Sequence, residues 1–60
     1  MKRKIGDVIE FYIIPGLWRI GIIEKFSIGT PRYGIRFVRT IEDGHCYHYC
    51  VEDEVRDVQL

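Results

Sequence analysis

The sequence contains no alanine, and its aliphatic hydroxyls are reduced to Ser27, Thr30 and Thr40. Alanine is the best helix former, whereas isoleucine, present at ten positions, and the aromatics, present at eight, fit a pleated surface. No segment therefore reads as a helix of any length. So few hydroxyls leave no Ser/His/Asp arrangement, and neither a glycine-rich phosphate cradle nor a paired-carboxylate motif is present. The chain is read as a non-enzyme, and no cofactor and no metal are expected. Long apolar runs are also missing: none approaches the roughly 18 residues of a membrane span. The basic start leads into Gly6-Asp7 rather than into the apolar core of a signal peptide. A soluble, cytoplasmic protein without a membrane partner is the expectation. Net charge is absent too, with nine basic residues balancing nine acidic ones, so no overall field pulls the chain toward nucleic acid.

Sixty residues allow a single small domain, residues 1–60, close to the lower limit of independent folding. Glycine and proline punctuate it regularly, at Gly6, Pro15-Gly16, Gly29 to Pro31 and Asp43-Gly44. Between them the pattern predicts strands over Asp7–Ile14, Leu17–Ser27, Tyr33–Thr40 and His45–Val51, then one helical turn at Glu52–Glu54 and a very short fifth strand. Five short strands are too few for two good sheets. The compact solution is all-β: a strongly bent, partly open five-stranded barrel with a core of Ile9, Phe11, Ile23, Ile35, Phe37, Val55 and Val58. Gly21, in the middle of the longest apolar run, fits this bend. It shares the inward parity of Ile23, and a narrow barrel needs a missing side chain where a long strand crosses its centre. On the other parity Trp18, Ile20 and Ile22 form an apolar row that calls for cover by the segment around Ile5, a second subunit or a ligand.

The pieces "IGDVIEF", "GLWRIGII", "YGIRFV" and "EDEVRDV" resemble, in order and spacing, the small SH3-like barrels of the Tudor, chromo-barrel and KOW kind. Those show Gly-Asp-x-Val, then Gly-x-Trp-x-x-Ala/Gly-x-Val, then Tyr-x-Val-x-Phe, then Glu-Asp-x-Leu-Arg-x-Val. The resemblance spans Ile5 to Val58. It implies the five-stranded SH3-like barrel with a short helical turn before the last strand. In Tudor-like readers it also implies an aromatic cage for a methylated cation, which would fall on Phe11 or Tyr12, Trp18, Phe37 and Tyr47, with Asp43 as an anionic wall. The Tyr-Gly-Asn element of those readers is replaced here by "RTIEDGH", and Phe37 suits the core better than a cage.

The densest group of reactive side chains is "GHCYHYC", Gly44 to Cys50. In an extended strand Cys46, His48 and Cys50 share one face with the outer two about 13 Å apart, so one ion cannot hold both cysteines. The same spacing is long for a disulfide, and reduced thiols are expected. Tyr47 and Tyr49 take the opposite parity. There the chain is also similar to the plasmid-encoded type II dihydrofolate reductases, symmetric-pore enzymes with a Val-Gln-Ile-Tyr run. Tyr49 matches the family's tyrosine, but Tyr47 and His48 replace the Gln and Ile, which leaves a symmetric-pore enzyme as the remotest alternative, while symmetric assembly is expected because the Trp18, Ile20, Ile22 row calls for cover.

Two functional expectations stand ahead of the symmetric-pore enzyme. The first is a non-catalytic interaction module that binds a protein segment or a like subunit through Tyr12, Trp18, Tyr47 and Tyr49, with a homo-oligomer included. The alternative is a small DNA- or RNA-binding protein with a basic face of Lys2, Arg3, Lys4, Arg32, Arg36 and Arg39. The plain reading of those arginines is that they keep a half-buried strand soluble and guard an edge.

Overall fold

The computed structural model describes residues 3–38 and 44–59. Five strands follow in chain order: β1 (Val8–Tyr12), β2 (Trp18–Phe26), β3 (Tyr33–Val38), β4 (His45–Cys50) and β5 (Val55–Asp57), with a 3₁₀ turn at Glu52–Glu54 before the last. They form one antiparallel sheet in the order β4-β3-β2-β1-β5. The all-β class, the number of strands and the turn before β5 are those expected from the sequence. Several strands begin later or end earlier than the apolar pattern suggests. β1 stops at Tyr12, because the chain bends at Ile13 and at Ile14 enters a tight turn in which the Leu17 N–H donates to the Ile14 carbonyl at 3.0 Å. Pro15 and Gly16 are its central residues, and Gly16 takes a φ of 90°, the left-handed value a turn of this kind requires of its third residue. β4 stops at Cys50 rather than Val51, and the Arg39-Thr40 end expected for β3 lies outside the described residues.

The sheet is curled strongly enough to enclose a core without closing. In a flat sheet β1 and β4 would stand three strand spacings apart, about 14 Å. Yet the rings of Phe11 in β1 and His48 in β4 are 6.0 Å apart, and Phe11 meets Phe37 of β3 edge-on at 5.0 Å. In β2 the register against β3 shifts between Ile23 and Lys25, an irregularity of the kind that bends a strand. Gly21 sits at the inside of this curve. A Cβ there would lie 2.5 Å from Ile35 Cγ2, 2.9 Å from Phe11 Cε1 and 3.1 Å from the Arg36 carbonyl oxygen. The missing side chain is the space into which Phe11 and Ile35 pack.

Among the described residues the core consists of Ile9, Phe11, Ile23, Tyr33, Ile35, Phe37, Cys50 and Val55, with Cys46 packed against it. Six of the seven expected core residues are buried. Val58 is the correction: β5 ends at Asp57, and with Val55 inward Val58 has the outward parity, so it is only half buried. Tyr33 and Cys50 fill the core in its place. They face each other across β3 and β4, and the Tyr33 hydroxyl escapes to the margin to donate to Glu52 Oε2 at 3.0 Å. Arg3 completes this margin, its guanidinium 3.2 Å from Glu52 and 3.6 Å from Asp57.

Candidate interaction surface

The register decides which side chains share the outer face. One row crosses four strands, Val8, Ile22, Arg36 and Tyr47, and a second runs from Arg56 through Glu10 to Ile20. Between them lies a shallow, mostly apolar depression of about 260 Å³ bordered by Val8, Ile20, Ile22 and Val38, with Arg36 and His45 at its rim. Val8, Ile20 and Val38 expose 54%, 60% and 56% of their surfaces. Ile5, considered from sequence as a cover for this row, is itself 63% exposed and leaves it open.

The four expected contact aromatics fall into two separate groups. Tyr12 and Trp18 are cross-strand partners at one end of β1 and β2, with ring centroids 5.1 Å apart in an edge-to-face arrangement. Trp18 is half buried because the Arg56 guanidinium lies over its ring at 3.8 Å. Arg56 is fixed in turn by Glu10, whose Oε1 accepts a hydrogen bond from Nε at 2.8 Å. Tyr47 and Tyr49 lie two strands and several residues away on β4, 56% and 52% exposed. The Tyr47 hydroxyl donates to Glu24 Oε1 at 3.2 Å, and the same carboxylate is 3.3 Å from Arg36 Nε. Tyr49 packs over Gly34, where a Cβ would come within 3.1 Å of its ring.

An aromatic cage does not form at the positions the resemblance indicated. Phe11 is fully enclosed and Phe37 is core, so neither presents a face, and the exposed side of Trp18 already carries a cation from its own chain. Asp43 lies outside the described residues.

The described cations are dispersed. Arg3 is tied to Glu52 and Asp57, Arg36 is paired with Glu24 in mid-sheet, and Arg32 stacks on Phe26 at the β2–β3 connection. Lys4 is exposed, while Lys2 and Arg39 lie outside the described residues. Among the described residues no three metal-ligand side chains meet. Cys46, His48 and Cys50 do share the inward face, and Cys50 is buried. Burial, seconded by the Glu54 carboxylate, pushes the Cys50 thiol up to about 12, which keeps it neutral and is the opposite of nucleophile activation. No helix among the described residues is long and apolar enough to cross a membrane.

Glu10, Glu24 and Arg56, the polar frame of the surface, carry no signal in the sequence, because cross-strand pairing of β1 with β5 and of β2 with β3 is not visible in local spacing. Comparison with protein-family models, with curated proteins and with solved structures gives no match.

Proposed function

We propose that the chain is a small SH3-like barrel acting as a non-catalytic interaction module, which receives an extended apolar segment of a partner protein or of a like subunit on its outer face. The strand order, the curl around Phe11 and the 3₁₀ turn before β5 support the SH3-like reading. The observation that carries the functional one is the exposed apolar cluster of Val8, Ile20 and Val38 around the depression. Its flanking charges are already neutralised as the pairs Glu10–Arg56 and Glu24–Arg36. Such a frame repels neither sign and favours an occupant with little charge of its own. The test is selection of peptides from a random display library on the folded protein, followed by titration of the winners on the wild type and on Ile20→Lys. Apolar peptides that lose at least about tenfold in affinity on Ile20→Lys support the reading. Winners that bind both proteins equally, or a failure to select any, defeat it.

A further inference from the structure

The two edges of the sheet are built differently. β5 is three residues long, carries Arg56 and Asp57, and is flanked by Arg3, which reaches Asp57 and Glu52. These are the devices that keep an edge from pairing: shortness, charge and cover. Among the described residues β4 has none of them. Its six residues, His45–Cys50, contain no Lys, Arg, Asp, Glu, Pro or Gly, and they pair with β3 through six consecutive positions without a bulge. Among the described residues no strand pairs with its other edge, so every second N–H and C=O along it points away from the sheet.

We propose that this edge is the seam of a symmetric dimer, in which β4 pairs antiparallel with β4 of a second copy and joins two sheets into one of ten strands. The strand's own sequence favours a second copy over a foreign strand. A two-fold axis perpendicular to the sheet keeps inward side chains facing inward only in registers that oppose residues of like parity. Centred on Tyr47, the register sets Tyr47 against Tyr47 of the other copy and Cys46 against His48. Centred on His48, it sets Tyr47 against Tyr49 and Cys46 against Cys50. Both put tyrosine opposite tyrosine on the outer face, a favourable cross-strand pair, and neither brings like formal charges together. Both tyrosines are more than half exposed in the single chain and so have surface to lose. The seam uses the edge and meets the outer-face depression only at its His45 rim, away from Ile20, so Ile20→Lys tests the two separately.

Solution mass by light scattering, from micromolar to millimolar protein, is to be measured on the wild type, Tyr47→Lys and Ile20→Lys. The wild type is expected to rise to twice the chain mass. Tyr47→Lys, which can pair with Glu24 within the chain but sets a lysine on the seam, should remain monomeric. Ile20→Lys should dimerise like the wild type. Amide exchange on the wild type provides a readout that does not depend on a variant folding: β4 amides should slow by about tenfold or more at dimer concentrations while β5 amides do not. A wild type that stays monomeric, β4 exchange independent of concentration, or a dimer dissolved by Ile20→Lys and not by Tyr47→Lys would each overturn the proposal.

Discussion

At the scale of single residues, two side chains are set by what surrounds them rather than by their own chemistry. Gly21 is a glycine because Ile35 and Phe11 occupy the space of its Cβ. Gly21→Ala forces one of them, or the Arg36 carbonyl, to move, and overpacking of this kind costs about 1–3 kcal/mol. Denaturant unfolding should show that loss with no change in slope. Cys50 illustrates burial acting on an ionisable group. Its thiol is raised from 9.0 to about 12 in the folded chain, so the folded state holds its proton where the unfolded state releases it. The resulting stability is fully present below pH 9, and declines as the pH rises through the interval up to about 12. Tyr33, raised by burial and then by Glu52, adds to the same alkaline loss. Urea midpoints should hold level from pH 8 to about 9 and then fall as the pH rises further, less steeply in Cys50→Val than in the wild type. Thiol alkylation of the native protein at pH 8 should spare Cys50 until denaturant is added.

At the scale of elements, the link between β1, β2 and β5 rests on the stack of Glu10, Arg56, Trp18 and Tyr12. The Arg56 guanidinium covers Trp18 at 3.8 Å while its Nε holds Glu10 at 2.8 Å. Both contacts sit near the surface, where a cation–π pair and an ion pair are each worth well under 2 kcal/mol. Arg56→Gln should therefore lower stability by about 1 kcal/mol, shift Trp18 fluorescence and leave the fold intact. This stack also marks how far the sequence could be read. The alternation of Ile9, Phe11, Gly21, Ile23, Ile35 and Phe37 gave the inward face, because burial imposes a period of two within each strand. Glycine and proline gave the breaks between strands. Which outward residue meets which depends on register, and register is a property of two strands at once. Hence Trp18 and Tyr47, equivalent in the sequence as exposed aromatics, turn out to be neighbours of different charges at different places on the face. The three-residue β5 likewise offered too little pattern to tell that Val58 leaves the core.

At the scale of the whole molecule, a core with eight side chains among the described residues supports the fold. A domain this small holds only about 3–5 kcal/mol in reserve, and one large core side chain represents most of it. Phe11 is the critical one, since its ring touches β3 through Phe37 and β4 through His48 and so holds the curl of the sheet. Phe11→Ala removes about 3–5 kcal/mol of packing, which equals the reserve. Val58, half buried and on the outward parity beyond β5, supports no such closure, and Val58→Ala should cost under about 1 kcal/mol. Circular dichroism at 25 °C should find Phe11→Ala largely unfolded and Val58→Ala native, with a melting midpoint within a few degrees of the wild type. A cooperative, well-folded Phe11→Ala would mean that the sheet keeps its curl without the ring. The bend would then belong to the β2 register shift and Gly21 alone.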